Sequence, residues 1–362
     1  MLAPTGFENL QGWAGHDHEA ALETFRRSAH EIFHAASAFS RPVRFGGSRH
    51  AWLRTCSHAL SVADARAFFE HCFRPYRVED PDCPKGLFTG YFEPDVLGSL
   101  APKPGFPVPL YRRPPDLAAF SPADSARTGL SFGRMADGQA RPYFTRRDIE
   151  QGALSGQELE IVWLTDWADA FFMQVQGSGR VRLEDGRIIR LTYDGKTGLP
   201  YTSIGAVLIE AGHIAREAMS MQAIRRWMLA HPEAARELMW RNESFVFFRE
   251  AQLERRDLGA LGAQHVQLTP RRSLAVDRSC WMFGMPVWLD TAIPSDECGK
   301  TEIFRQLMIA QDTGTAIKGL SRGDVYWGSG EEAAMIAGHM KSQGVMIVLL
   351  PLEVAAELGL SA

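Results

Sequence analysis

Residues 309–319 read IAQDTGTAIKG, and their centre, Asp312-Thr313-Gly314, is the tripeptide that carries each carboxylate of a pepsin-like protease dyad. Such a dyad is two carboxylates sharing one proton, because like charges about 3 Å apart cannot both ionise. No second Asp-Thr-Gly or Asp-Ser-Gly occurs in the 362 residues, so a single-chain dyad would need an unrelated aspartate. A homodimeric dyad sits awkwardly in so long a chain. Two other aspartates stand in similar settings: Asp277 in LAVDRSCW and Asp324 in GDVYWGSG, twelve positions after Asp312. Each lies at the end of a strand-like run beside turn residues. A lone aspartate there more often caps a turn by bonding its own backbone. Three in this order suggest carboxylates converging on one barrel end.

A second pattern, His30-Glu31-Ile32-Phe33-His34, satisfies H-E-x-x-H on a helical stretch, with two imidazoles on one face for zinc and Glu31 as base. A catalytic zinc needs a third ligand. The metzincin extension is absent, and Glu70 is the nearby candidate. The plainer expectation is that His30 and His34 flank an apolar helix stripe, with no metal bound.

The elements that must position these groups follow from periodicity. Leu22, Phe25, Ala29, Ile32, Phe33 and Ala36 recur at helical spacing from Glu19 to about Phe39, and residues 57–73 repeat the pattern. GLFTGYFEPDVLG, from Gly86, reads as a strand followed by a loop. The proline-rich KPGFPVPLYRRPPD (103–116) and the Ser/Ala/Gly-rich 121–140 suggest a crossing between domains. Between 143 and 205 come short strand candidates, IVWLTD, AFFMQVQGSG and GRIIRLTYDG, and 206–242 returns to amphipathic helix. From 264 onward SLAVDRS, MPVWLDT, IFRQLMIAQDTG, GDVYWG and GVMIVLLP suggest a compact β-barrel, with one helical run at 331–340.

The totals narrow the classes. A chain of this length with 45% hydrophobic residues can bury a sizeable core and suggests about two domains. Its net charge is -4, and 39 basic residues are interspersed with 43 acidic ones, which argues against nucleic acid as a partner. The five cysteines, Cys56, Cys72, Cys83, Cys280 and Cys298, form no C-x-x-C pair. No stretch reaches the ~20 apolar residues of a membrane span. The first twenty residues have neither the basic flank nor the apolar core of a signal peptide.

Taken together, the motifs resemble the MltA-type lytic murein transglycosylases, whose C-terminal "3D" module is named for three aspartates. The resemblance rests on Phe88-Thr-Gly-Tyr-Phe-Glu-Pro94, Val175-Gln-Gly-Ser-Gly179, Tyr201-Thr-Ser-Ile-Gly205, Ser220-Met-Gln-Ala-Ile224 and Asn242-Glu-Ser-Phe-Val-Phe-Phe248. It continues through Ser273-Leu-Ala-Val-Asp-Arg278, Asp312-Thr-Gly-Thr-Ala-Ile-Lys-Gly319 and Asp324-Val-Tyr-Trp-Gly328. It departs at Thr315, where the family usually has a second glycine, and residues 1–85 carry no matching motif.

The resemblance implies a mainly β fold with helical N-terminal and middle segments. A double-psi β-barrel domain would form from 86–105 and 247–362, with a smaller β-rich domain, 106–246, inserted and forming the other wall of a glycan groove. Residues 1–85 would be a helical segment packing on the barrel. The implied reaction cleaves the MurNAc-β-1,4-GlcNAc bond of peptidoglycan without water, leaving a 1,6-anhydro ring, with Asp324 as single general acid and then base. Asp312 would tune or orient Asp324, and Asp277 would support it. Contacts to sugar are expected from Tyr91, Gln176, Gly177, Ser178, Lys318 and Tyr326, with Trp327 as a further flat face, although barrel aromatics are more often core. No cofactor is expected. The partner is the glycan strand, the protein a monomer, and the location periplasmic or at the outer membrane, with a membrane tether if a leader was removed. The alternatives are a peptidoglycan-binding barrel without catalysis and, further off, a zinc peptidase using His30 and His34.

Overall fold

The computed structural model describes residues 1–362 except 36–38, 40, 253, 254, 256, 296–299, 361 and 362. They form two compact units, Met1–Phe92 with Leu253–Ala362, and Glu93–Gln252. Cys298 lies outside the described residues, and Cys56, Cys72, Cys83 and Cys280 are free thiols. No helix among the described residues is long and apolar enough to cross a membrane.

The first unit begins with three helices: α1 (His18–His34), α2 (Arg49–Ala59) and α3 (Ala65–Cys72). Asp17 caps α1 by accepting from the Ala20 amide, and Ala21, Leu22, Phe25, Ala29 and Ile32 bury one stripe. The helix stops at His34, short of the expected Phe39, and 36–38 lie outside the described residues. The single helix expected over 57–73 is two. Asp64 accepts from the Ala67 amide and starts α3 afresh, so 60–64 is a break that apolar spacing alone does not reveal. Phe25 of α1 and Phe68 and Phe69 of α3 meet Phe73 in a cluster of edge-on and tilted rings 5.1–6.3 Å apart.

The sheet of this unit has nine strands. They are β1 (Leu2–Pro4), β2 (Phe73–Val78), β3 (Leu87–Glu93), β4 (Ser273–Val276), β5 (Pro286–Pro294), β6 (Thr301–Asp312), β7 (Arg322–Ser329), β8 (Lys341–Ser342) and β9 (Gly344–Pro351). Every strand read from SLAVDRS onward is present, as is the helix at Glu331–His339. The hydrogen-bonded order is β1-β2-β9-β5-β6-β4-β7-β3-β8, and the ends of this order do not join. Strand β4 runs parallel to β6 and antiparallel to β7. N-terminal β2 and β3 are therefore built into a sheet made mostly from the C-terminal third. Trp281, Trp288, Leu307 and Val348 are among its fully buried side chains.

In the second unit a six-stranded sheet runs in the order Val246–Glu250, Ile188–Lys196, Ser178–Leu183, Asp95–Ser99, Glu160–Leu164, Val108–Tyr111. Val108–Tyr111, inside the proline-rich stretch, is an edge strand, where missing amide donors are tolerated. The chain passes between units earlier, at Phe92 and Glu93. Asp95–Ser99, read from sequence as a loop, is also a strand. AFFMQVQGSG is not a strand: Trp167–Gln176 is a helix, capped by Asp166 and ended by Gly177 at φ 79°, and the strand starts at Ser178. Ala170 to Gln174 are all buried, so the run shows no one-sided period. Residues 206–242 are helical as expected, in the α-helices Ile204–Glu210, Met221–Ala230 and Pro232–Trp240, the last begun by a proline.

Candidate active site

Ala275 of β4 is in register with Asp312 on one neighbouring strand and with Asp324 on the other. Partners directly opposite in a ladder project to the same face. Three adjacent strands therefore present Asp312, Ala275 and Asp324 side by side, with a methyl group between two carboxyl groups. The register depends on a bulge: Leu274 pairs with Ala310 but Ala275 with Asp312, leaving Gln311 as the extra residue. Without it Gln311 would stand opposite Ala275 and Asp312 would lie one position further along.

Asp324 accepts at Oδ1 from the Thr89 hydroxyl of β3, 2.5 Å away. Thr89 Oγ1 in turn accepts from Arg322 Nη2 at 2.7 Å, and Arg322 also donates to the Leu87 carbonyl. A guanidinium has no acceptor, so the Thr89 proton is left to point at Asp324. Asp312 is held differently. Its Oδ1 accepts from the amides of Ala263 and Thr313, both at 2.9 Å, and its Oδ2 from the Tyr91 hydroxyl at 2.9 Å.

Burial raises both carboxyl groups above the ordinary aspartate range. At Asp312 the two amides and Tyr91 work against that rise and the charge of Asp324 adds to it. At Asp324 only the Arg322 charge and the Thr89 bond oppose it. Both residues keep part of their surface open. The two acids are therefore held unequally, one by three fixed donors and the other by a single hydroxyl.

Asp277 is not part of that pair. It accepts from the Ser279 amide and hydroxyl at 2.9 and 2.7 Å and from the Gly319 amide at 2.9 Å, with Lys318 Nζ at 3.8 Å. Burial pushes its carboxyl up, but these donors and the ammonium together bring it below the usual range. It therefore behaves as an ionised staple of the loop that leads into β7. Asp80 does the same from the N-terminal segment, accepting from the amides of Leu320 and Ser321 at 3.1 and 3.2 Å. Nothing in the sequence singled out Asp80, Ala263 or Arg322, and Thr89 entered only as one position of the Phe88–Pro94 segment with no role, because none has a local pattern that reports a partner so distant in the chain.

The aromatic residues expected to face sugar are buried. Tyr326 is 1% and Tyr91 8% exposed, their rings 5.2 Å apart in a cluster with Leu268 and Ala275. Trp327 is also buried, and a Cβ on Gly90 would lie 2.6 Å from its indole nitrogen. Tyr91 reaches the site through its hydroxyl, not its face. Lys318 is 71% exposed and pairs with Asp277 rather than Asp312. In the second unit Gly177 closes the Trp167–Gln176 helix through a 2.8 Å bond from its amide to the Met173 carbonyl, and Ser178 is buried at the start of the next strand.

The zinc reading finds no site. His30 and His34 share a helix face with rings 4.3 Å apart, but both are exposed. Glu70 is occupied by Trp13 Nε1 and Arg66 Nε. Among the described residues no group of three His, Cys, Asp or Glu side chains could hold a metal ion.

Two family descriptions match the chain: the MltA specific insert domain over residues 87–249 and the 3D domain over 272–350. The chain is 36% identical over 315 residues to the membrane-bound lytic murein transglycosylase A of Escherichia coli K12, covering 86% of this chain and 78% of that protein. It is 36% identical over 261 residues to the protein of the same name from Vibrio cholerae, covering 71% of this chain but only 63% of that protein's length. The crystal structure of a membrane-bound lytic murein transglycosylase from Agrobacterium tumefaciens superposes with a TM-score of 0.87 at 32% identity, covering 99% of both chains. The mainly β fold with helices is that of this family, to which the double-psi β-barrel description belongs, although the nine-strand order itself is not closed into a ring.

Proposed function

The chain belongs to the MltA-type lytic murein transglycosylases, and from that premise we propose that Asp324 alone carries the proton through cleavage of the MurNAc-β-1,4-GlcNAc bond. The observation that supports this most is the asymmetric pair. Asp312 has every oxygen committed to a donor, whereas Asp324 has one hydroxyl on Oδ1 and no bond to Oδ2 among the described residues. The catalytic proton is best held on Asp324 Oδ2, with Asp312 ionised on the second strand over.

Hydrolysing glycosidases use two carboxyl groups because water must be activated or a covalent intermediate formed. Here the substrate brings its own nucleophile. Asp324 Oδ2–H protonates the glycosidic oxygen as the bond to C1 of the muramic acid breaks. Positive charge develops at C1, and the ionised Asp312 nearby favours it electrostatically. The C6 hydroxyl closes onto C1, and the Asp324 carboxylate takes that hydroxyl's proton. The enzyme ends protonated as it began, and the products are a free GlcNAc 4-hydroxyl and a 1,6-anhydro-muramic end. No cofactor enters the sequence.

In this reading Tyr91 acts by holding Asp312, and Tyr326 packs behind it. Lys318, exposed beside the loop, and Gln176, Gly177 and Ser178 in the second unit are proposed contacts for glycan or stem-peptide groups. The polymer implies work in the periplasm, with membrane attachment of the kind named in the relatives, by a monomer.

Digestion of purified sacculi followed by mass spectrometry tests the proposal. Anhydro-muropeptides are expected from the wild type and none from Asp324→Asn. Ordinary reducing ends, or full activity in Asp324→Asn, would overturn it. Binding of sacculi without fragment release would instead support the glycan-binding barrel.

A further inference from the structure

Beneath the catalytic pair runs a chain of hydrogen bonds that begins in α1. The Gln311 side-chain amide donates to the Ser28 hydroxyl at 2.8 Å and to the Thr24 carbonyl at 3.0 Å. Ser28 passes its own proton to Gln264 Oε1 at 2.8 Å. At the other end Ser273 donates to Gln311 Oε1 at 2.5 Å while accepting from the Thr269 amide at 2.7 Å. Thr24, Ser28, Gln264, Ser273 and Gln311 are all fully buried.

The direction of each bond is consistent along the chain, since each hydroxyl donates once and accepts once. Two of its members adjoin the catalytic pair. Gln311 is the bulged residue before Asp312. Gln264 follows Ala263, whose amide donates to Asp312, and its own amide donates to the Gln311 carbonyl at 3.1 Å. The turn carrying Ala263 is tight: Gly262 donates to Val266, and His265 sits at φ 65°. Such a turn keeps its shape only while its surroundings hold it. Ser28 supplies that hold from a helix that precedes the residues matched by either family description.

We propose that Ser28, Gln264 and Gln311 are positioning residues for the transglycosylase reaction: their hydrogen-bond chain fixes the 262–265 turn so that the Ala263 amide stays on Asp312. The N-terminal helix is then a working part of the active site although no residue of it touches substrate. The inference rests on the reading that Asp324 carries the catalytic proton while Asp312 stays ionised. A loosened Ala263 amide deprives Asp312 of a donor, so it takes up a proton more readily and remains ionised only at higher pH. The groups facing Asp312 are Tyr91 from β3, Asp324 from β7 and the two amides, with Thr89 and Arg322 behind Asp324.

The test compares wild type, Ser28→Ala and Ser28→Thr in release of anhydro-muropeptides across pH, with melting temperature recorded for each. Ser28→Ala is expected to lower kcat roughly five- to tenfold with KM little changed, the pattern of an interaction lost at the reacting centre. The acid limb of its rate profile moves to higher pH, and Ser28→Thr, which restores the hydroxyl, moves both back. A lower melting temperature with kcat and the acid limb unmoved overturns the proposal, since a purely structural role predicts that outcome. Should Ser28→Ala fail to fold, Gln264→Ala is read in the same way, because it leaves Gln311 bonded to Thr24 and Ser28. The wild type and Asp324→Asn run alongside separate the two failures. If these do not differ in anhydro product the functional reading falls, and if they do but the Ser28 and Gln264 variants behave as wild type only the positioning role falls.

Discussion

Thr89 stands between a guanidinium that can only donate and a carboxyl group whose Oδ1 accepts its proton, leaving Oδ2 for the proton of the proposed mechanism. Its hydroxyl lowers the Asp324 pKa against the rise that burial imposes. Thr89→Val, nearly isosteric, is therefore expected to raise that pKa further and to move the alkaline limb of kcat/KM to higher pH. The sign follows from the proposed acid role: in that mechanism activity requires protonated Asp324 and is lost as pH rises through its folded pKa. The same change frees the carboxyl to rotate, so kcat should fall roughly tenfold, about 1.4 kcal/mol of barrier. At the other member of the pair, Tyr91→Phe removes a donor that lowers the Asp312 pKa. Its acid limb should move to higher pH. With one group needed ionised and the other protonated, the full profile is a bell. A rate profile for either variant superposing on that of the wild type would contradict the proton assignment.

Among the elements, the loop between Asp312 and β7 is the one whose shape places the acid. Asp277 holds it at Gly319, and Asp80 at Leu320 and Ser321. Trp281 adds a bond from Nε1 to the Leu320 carbonyl at 2.9 Å. Asp80→Ala leaves the amides of Asp82, Leu320 and Ser321 without their acceptor, and a cost of about 1–3 kcal/mol is expected in denaturant unfolding. Because the loop feeds Arg322 and then Asp324, kcat should fall too, and steady-state turnover of sacculi measures it. In the second unit Gly177 shows how a glycine can decide an element's type. At φ 79° it ends the Trp167–Gln176 helix, and Gly177→Ala is expected to cost about 1 kcal/mol, read as a drop in denaturation midpoint. The residue's expected contact with sugar is a separate matter, tested by whether KM rises in the same variant.

At the scale of the molecule, a sheet carrying residues from both ends of the chain makes the N-terminal segment indispensable to the C-terminal module. Strand β2 pairs with β9 over five residues, and β3 lies beside β7. The aromatic cluster of Phe25, Phe68, Phe69 and Phe73 seals the helices against that sheet. Phe25 is fully buried, so Phe25→Ala is expected to destabilise the protein by about 3–5 kcal/mol. Calorimetry or denaturant titration checks this, and the variant that remains folded should keep the wild-type rate profile, since Phe25 bonds to neither carboxyl group. The contrast with Ser28, one helical turn further along α1, would separate a residue that holds the fold from one proposed to hold the site.

The C-terminal strands and the family were legible in the sequence, and Asp312 and Asp324 stood out there as candidates beside Asp277, because alternation within a strand and a fixed motif spacing are local properties. It read helix where α1 and α3 lie and missed the break between α2 and α3, since a capping aspartate competes with apolar spacing without disturbing it. It read strand at 170–176 because a helix buried all round has no polar face to betray its period. What only the tertiary structure decided was company. Thr89 meets Asp324 across 235 positions, Tyr91 meets Asp312 across 221, and Asp277 turns away from both to hold a loop. Those meetings follow from strand order and from one bulged residue at Gln311. Strand order and bulge are settled by long-range pairing and by what α1 packs beneath the sheet, and neither leaves a mark on any short stretch of the chain.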